Sequence, residues 1–153
     1  MQDFRRLVAW QHAQALALDV YRTTRAFPPS ETYGLTTQLR RTAAAVGAYV
    51  ADGAGRENDA LFAHFVGVAN GACGEVRSHL ALARDLGHLT PQSFARLDAR
   101  ARVVSRFLRG LRRRLVAANA RAAEAGAGTA TCPPPAAYRS ICVLADEQLL
   151  HRQ

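Results

Sequence analysis

The chain has 153 residues, the length of one domain that can bury a core of its own. Its 20 arginines, with no lysine, outweigh 12 acidic residues and give a net charge of +8, so polyanions are credible partners. With 49% hydrophobic residues, the composition argues against a disordered chain. No run of about twenty uncharged apolar residues occurs, which excludes a transmembrane helix.

The residue types favour helices over strands. Alanine occurs 31 times and isoleucine once, and alanine faces let helices approach closely. The three cysteines (Cys73, Cys132 and Cys142) are odd in number and lack CxxC spacing, so neither a disulfide framework nor a zinc finger is expected. The N-terminus lacks the layout of a signal peptide, and we expect a cytoplasmic protein.

Prolines and glycines divide the first 125 residues into four predicted helices. These cover residues 3–26, 32–53, 57–86 and about 91–124, with Thr90 as N-cap and Pro91 as first residue of the last helix. Because the connections are short, consecutive helices must run antiparallel. We therefore predict an all-α fold, an up-down-up-down antiparallel four-helix bundle over residues 1–125. Residues 126–153 form a Pro-rich linker and a tail that can hold a short helix over 138–150.

Apolar residues at alternating spacings of four and three predict the packing faces. One seam runs along the fourth helix through Leu97, Ala101, Val104, Leu108, Leu111 and Leu115. The third helix has a first seam of Phe62, Val66, Ala69, Cys73, Val76, Leu80 and Ala83. Beside it lies a second seam of Leu61, Phe65, Val68, Ala72, Glu75, His79, Leu82 and Leu86. Two adjacent seams are too wide for one partner, so this helix contacts either two neighbours in its bundle or one neighbour and another subunit.

The net charge is concentrated on the fourth helix. Nine arginines and two acidic residues give residues 90–125 a charge of +7. An arginine ridge about 16 Å long lies opposite the leucine seam and consists of Arg102, Arg106, Arg109 and Arg113. Further candidate contacts flank it or lie upstream: Arg96, Arg100, Arg112 and Arg114. Guanidinium groups at this spacing favour binding to nucleic-acid phosphates, and no aromatic residue shares the stripe to stack on bases. The alternative is a solvated outer face without a ligand.

A second set of polar residues is predicted to form a structural cluster. Its members are Arg40, Arg41, Asp52, Arg56, Glu75 and His79. We expect Glu75 to form a buried or interface ion pair with Arg40 or Arg41. The pattern Glu75-x-x-x-His79 occurs once without a second copy, so no metal site and no cofactor are expected. A weaker alternative is an enzyme that uses Asp52, Glu75 and His79 as its polar site.

Two smaller features have simple structural interpretations. Gly53-Ala54-Gly55-Arg56 lacks the preceding strand and the Lys-Ser/Thr pair of a phosphate loop, and both glycines indicate a helix C-cap and turn. Cys73 lies within the apolar first seam and is expected to be a small core residue.

Several sequence blocks together resemble one known family. They are Phe4 to Gln11, Tyr33-Gly34-Leu35-Thr36-Thr37-Gln38-Leu39-Arg40-Arg41, Ala51-Asp52-Gly53-Ala54-Gly55-Arg56, and Phe62 to Leu89. Over about residues 3–115 the chain resembles the four-helix-bundle family of the rRNA intervening-sequence type. This resemblance implies a bundle that assembles as a homopentamer. It also implies an architecture similar to the accessory proteins of diversity-generating retroelements, which bind nucleic acid and a reverse transcriptase. The chain departs from the family's usual Pro, Asn and Glu at Gly47, Tyr49 and Asp52.

The sequence thus predicts a non-enzymatic, homo-oligomeric basic bundle. It is expected to bind the backbone of DNA or RNA without sequence specificity, as an accessory to a reverse transcriptase or another nucleic-acid enzyme. The alternative is a structural or protein-interaction scaffold whose polyanion binding is incidental, with the tail docking a partner protein or a neighbouring subunit.

Overall fold

Four α-helices form the architecture of the computed structural model, which describes residues 3–125. They are α1 (Val8–Thr23), α2 (Leu35–Ala54), α3 (Asp59–Asp85) and α4 (Pro91–Ala125). Each helix packs on the next along the chain, and α4 returns to pack on α1, which closes the bundle. The described residues contain no strand, and the predicted all-α four-helix bundle is confirmed. The predicted linker, the short helix over 138–150, Cys132 and Cys142 lie outside the described residues.

The helix ends follow the predicted signals closely. The predicted first helix is interrupted, since single 3-10 turns at Phe4–Arg6 and Thr24–Ala26 flank α1. At the start of α4, the Thr90 hydroxyl accepts a hydrogen bond from the backbone N–H of Ser93 at 3.2 Å, as expected of an N-cap. Beyond α3, Gly87 has φ of +78°, a left-handed conformation that suits glycine.

The two glycines between α2 and α3 have different roles. Gly55 is the C-cap of α2, and its N–H donates to the carbonyls of Ala51 and Asp52, each at 3.2 Å, which confirms its predicted role. Gly53 lies inside the last turn of α2, so the prediction that it caps the helix is wrong. A Cβ at Gly53 would stand 2.7 Å from the ring of Phe62 and 2.9 Å from the Cβ of Phe65. Glycine is therefore required here because α2 approaches α3 too closely for any side chain.

The predicted seams build the core. Every residue of the first seam of α3 is buried, as are Leu97, Ala101, Val104 and Leu108 of α4. Cys73 is buried as predicted, and its thiol donates to the carbonyl of Ala101 at 3.2 Å. Burial raises the pKa of this thiol, which disfavours the thiolate form.

Two contacts between α3 and α4 define which residues of α4 lie opposite which residues of α3. Cys73 faces Ala101, and the hydroxyl of Ser105 donates to the side-chain carbonyl of Asn70 at 2.6 Å. In this antiparallel register, the first residues of α3 lie opposite about residue 116 of α4. With 35 residues against 27, α4 is longer than α3 by about 12 Å. The C-terminal turns of α4 therefore extend past the start of α3.

Candidate nucleic-acid interface

In the N-terminal half of α4, a buried carboxylate holds one arginine of the ridge. Asp98 accepts hydrogen bonds from Arg77 of α3 through Oδ1 and from Arg102 through Oδ2, each at 2.7 Å. Burial raises the pKa of the Asp98 carboxyl, but the two guanidinium groups outweigh burial and leave this pKa below its ordinary value. Arg77 thus joins α3 to α4 through Asp98, and Arg102 pairs with the same carboxylate within α4.

A second buried carboxylate, Asp19 of α1, holds the opposite flank of α4. Arg100 pairs with its Oδ2 at 2.8 Å, and Arg22 approaches its Oδ1 at 3.5 Å. Arg96, one turn before Arg100, donates to the hydroxyl of Thr23 at 3.4 Å. The three predicted contacts in the N-terminal half of α4 are therefore all engaged within the bundle.

Asp19 and Asp98 are site residues that the sequence reasoning missed. Both are buried, and each lies directly beside a buried apolar residue, Val20 and Leu97 respectively. Each also has an arginine three or four residues further along its helix. The sequence signal for Asp19 and Asp98 is an acidic residue directly beside an apolar seam position, with an arginine three or four residues later on the same helix.

The C-terminal half of α4 has a different arrangement. Six arginines lie between residue 106 and the end of α4; one of them, Arg121, donates to the carbonyl of Ala117 at 3.2 Å. We call the other five, Arg106, Arg109, Arg112, Arg113 and Arg114, the C-terminal arginine cluster. All five side chains are exposed, and no acidic group within residues 3–125 lies at ion-pair distance from any of them. This part of the predicted ridge therefore keeps its positive charge uncompensated.

The cluster borders an open, partly apolar groove. The side chains of Arg109, Arg112 and Arg113 line a groove of about 390 Å³ together with those of Val116, Ala117 and Ala120. Arg112 also leans over α3, where a Cβ at Gly67 would stand 3.5 Å from its Nε. Guanidinium groups on such a rim can donate paired hydrogen bonds to phosphate oxygens.

Among the described residues, the aromatic ring in contact with these arginines is that of Phe107, and its two faces are already occupied. Phe107 stacks on His12 of α1 with ring centroids 4.5 Å apart. Arg106 lies over the Phe107 ring at 6.0 Å from its centroid. Since both neighbours occupy this ring, the arrangement favours contact with the backbone of a nucleic acid over base stacking.

The six residues of the predicted polar cluster do not come together. At the end of α2, Asp52 pairs with Arg56 at 2.7 Å, and Arg56 lies over the ring of Phe65 at 5.0 Å. Arg40 points toward α1, where its Nε donates to the hydroxyl of Thr24 at 2.7 Å and its guanidinium covers Tyr21. The predicted pairing of Glu75 with Arg40 is therefore not formed.

The remaining three members lie along α2 and α3. Arg41 and Glu75 line one groove, yet no ion pair joins them within this chain. His79, one turn along α3 from Glu75, has a buried Nδ1 atom that finds no hydrogen-bond partner within residues 3–125. In the described part of the chain, no group of three or more His, Cys, Asp or Glu side chains is placed to hold a metal ion.

Fold and surface together define a class: an all-α bundle protein that carries a cluster of arginines without acidic partners, among the described residues, on the C-terminal half of one helix. Residues 5–110 match the family model described as 23S rRNA-intervening sequence protein. Because the match covers more than half of the chain, the protein belongs to this family, and the resemblance seen in the sequence is confirmed. No individual curated protein matches the chain. No helix within residues 3–125 has the length and apolar character needed to cross a membrane.

Proposed function

We propose that this protein binds the phosphate backbone of RNA through the C-terminal arginine cluster, without sequence specificity and without catalysis. The observation that carries the proposal is the contrast in pairing along α4. All of the predicted contact arginines are exposed, but Arg96, Arg100 and Arg102 each contact a polar or acidic group of the bundle, whereas the five arginines of the cluster have no acidic partner among residues 3–125. The family's description, which names an rRNA intervening sequence, supports RNA as the polyanion.

The spacing of the cluster suits a run of phosphates. Arg106, Arg109 and Arg113 follow one face of α4 over about 10 Å, at 1.5 Å of rise per residue. Each guanidinium that neutralises a phosphate releases condensed counterions, so affinity should fall steeply as salt rises. Backbone contacts of this kind carry no sequence information, which is why the proposed binding is unspecific.

The groups considered for catalysis support a binding role. Cys73 is a buried thiol whose pKa is raised by burial, and Asp52 is paired with Arg56. Glu75 lines a groove with Arg41 and Thr42, which lie about three helical turns along α2 from Asp52. The proposal therefore assigns no reaction to the protein.

A matched pair of triple variants tests the proposal. The ridge variant Arg106→Gln/Arg109→Gln/Arg113→Gln removes three charges from the cluster. The control Arg5→Gln/Arg6→Gln/Arg25→Gln removes three exposed charges elsewhere, none of which has an acidic partner among the described residues. We expect the ridge variant to bind RNA about 100-fold more weakly in fluorescence anisotropy at fixed salt, and the control to stay within about threefold of wild type. Equal losses in both variants would mean that net charge alone attracts RNA, and unchanged binding of the ridge variant would refute the proposal.

The finer parts of the proposal concern assembly and partners. We propose a homo-oligomer, a pentamer by family resemblance, because several copies of the cluster on one assembly would strengthen RNA binding through multivalency. An accessory role beside a reverse transcriptase or another nucleic-acid enzyme is part of the same proposal. DNA duplex in place of RNA in the anisotropy experiment measures which nucleic acid is preferred.

One observation favours the alternative, a protein-interaction scaffold. Large apolar side chains stay exposed on α3, with Leu82 at 49% and Leu86 at 53%. A scaffold whose polyanion binding is incidental would assemble normally and lose RNA equally in the ridge and control variants.

A further inference from the structure

The groove beside the C-terminal arginine cluster has an apolar side that phosphate binding does not use. Besides its three arginines, this groove of about 390 Å³ is lined by Val116, Ala117 and Ala120. The side chain of Val116 is 51% exposed, so the groove leaves apolar surface in contact with water. A nucleic-acid backbone offers phosphates to the arginines but has little apolar surface to cover this side. The groove as a whole therefore suits a peptide that is both acidic and apolar.

A segment with this composition follows α4 in the same chain. Residues 140–150, which we call the acidic segment, lie outside the described residues. Their sequence contains Asp146 and Glu147 and no basic residue. It also contains five large aliphatic residues, Ile141, Val143, Leu144, Leu149 and Leu150. Two carboxylates among aliphatic side chains are the chemical complement of arginines that border an exposed valine.

The chain between α4 and the acidic segment is long enough to bring this segment back to the groove. The last residue of α4, Ala125, lies about 14 Å along the helix from Val116, at 1.5 Å of rise per residue. Residues 126–139 can span up to about 45 Å when extended. A tether of this length gives an effective concentration on the order of 1 mM at the groove. A contact with a dissociation constant of about 0.25 mM would then be formed in about 80% of molecules.

We infer that the acidic segment docks on this groove in its own chain, with Asp146 and Glu147 paired to arginines of the cluster and aliphatic side chains covering Val116. The docked segment occupies the guanidinium groups proposed to bind phosphates, so it competes with RNA for one surface. Docking in about 80% of molecules lowers the apparent affinity for RNA about fivefold. This competition rests on the proposed RNA binding, whereas the docking itself does not depend on RNA.

A disulfide trap tests the docking in the absence of RNA. In the full chain, Cys132→Ser leaves Cys142 of the acidic segment as the thiol available for the trap, since Cys73 is buried. Val116→Cys adds a second thiol in the groove. The control Ala122→Cys adds one at an exposed position on another face of α4 and nearer to residue 126, where tethering alone would favour crosslinking at least as much.

Oxidised glutathione drives the trap, and peptide mapping by mass spectrometry identifies the disulfide formed. We expect Cys142 to crosslink about tenfold faster in Val116→Cys than in Ala122→Cys. Adding Asp146→Asn/Glu147→Gln to Val116→Cys should slow the reaction to about the rate of the control, because the charges that hold the segment are lost.

RNA affinity tests the competition. The variant Asp146→Asn/Glu147→Gln removes both carboxylates of the acidic segment. The matched control Glu75→Gln/Asp85→Asn makes the same two changes at exposed positions of α3 outside the groove. In fluorescence anisotropy with labelled single-stranded RNA, we expect the first variant to bind about fivefold more tightly than wild type and the control to stay within about twofold.

Three results would overturn the inference. Equal crosslinking rates in Val116→Cys and Ala122→Cys would leave the groove to another partner, while the ridge variant would still decide RNA binding. A disulfide that joins two chains would place the segment on a neighbouring copy. Equal gains in affinity in the two charge variants would show that net charge and not docking controls RNA binding. If the wild-type chain binds no RNA, the proposed function fails, and the disulfide trap alone decides whether the segment docks.

Discussion

The arginines in the two halves of α4 differ in the partners that the bundle gives them. In the N-terminal half, Arg100 and Arg102 meet Asp19 and Asp98, two carboxylates that the bundle buries. In the C-terminal half, the arginines of the cluster have no such partner within residues 3–125, and the helix extends past the start of α3. Packing therefore separates arginines that stabilise the fold from arginines available to a ligand.

This difference has a simple physical origin. An exposed arginine gains little from a nearby surface charge, but a buried carboxylate must be paired because an isolated buried charge is costly. Beside the N-terminal half of α4, the buried acids Asp19 and Asp98 fix the arginines next to them. Beside the cluster, α4 still packs on α3, but no acidic side chain of the described residues pairs with its arginines, so their charge stays available to a phosphate.

Removing the buried carboxylate of Asp98 should have the largest effect on stability. We expect Asp98→Ala to lower the free energy of unfolding by about 2 kcal/mol, since two charge-assisted hydrogen bonds are lost. Urea unfolding measures this value.

Asp98→Ala also frees Arg102 next to the cluster, so the affinity of this variant for RNA should rise about twofold at a pH where the variant is folded. A variant as stable as wild type would show that the N-terminal half of α4 is not held through Asp98.

Acidification should have an intermediate effect with a defined sign. The pKa of Asp98 is lower in the folded chain than in the unfolded chain, so its stabilising contribution is complete above the ordinary carboxyl pKa, near 4, and is lost as the pH falls through the folded value. The difference in unfolding free energy between wild type and Asp98→Ala should therefore be constant near neutral pH and shrink below about pH 4. A difference that grows on acidification would contradict this account of Asp98.

The smallest effect on stability is expected in the other half of the helix. Because Arg109 forms no ion pair within the described residues, Arg109→Gln should change the free energy of unfolding by less than about 0.5 kcal/mol while weakening RNA binding. Urea unfolding and anisotropy on the same sample give both values. A loss of 1 kcal/mol or more would mean that this arginine has a structural role after all.

Much of the fold follows from the sequence because its signals are local. Thr90 and Gly55 cap helices as predicted, and the 4-3 seams identify the core. Gly53 was wrongly predicted to cap α2. Its actual role depends on how closely Phe62 of α3 approaches α2, and the sequence of one helix does not define that packing.

The candidate site was predictable only in part for the same reason. Spacing alone places Arg102 and Arg109 on one ridge. The rotation of α3 about its own axis, which spacing does not define, brings Arg77 to Asp98, so that Arg77 and Arg102 share this carboxylate. Likewise, Arg40 and Arg41 are adjacent in sequence but point to different elements. Arg40 reaches Tyr21 of α1 and the hydroxyl of Thr24 just after it, whereas Arg41 lines the groove between α2 and α3.

The central claim is that the C-terminal arginine cluster contacts RNA phosphates, and the salt dependence of binding tests it most directly. The slope of log affinity against log salt counts the counterions released, about 0.7 for each phosphate contact of a single strand. We predict that Arg106→Gln/Arg109→Gln/Arg113→Gln makes this slope shallower by about 2 for each bound chain, relative to wild type and to the Arg5, Arg6 and Arg25 control. An unchanged slope in the ridge variant would show that these arginines do not meet phosphates.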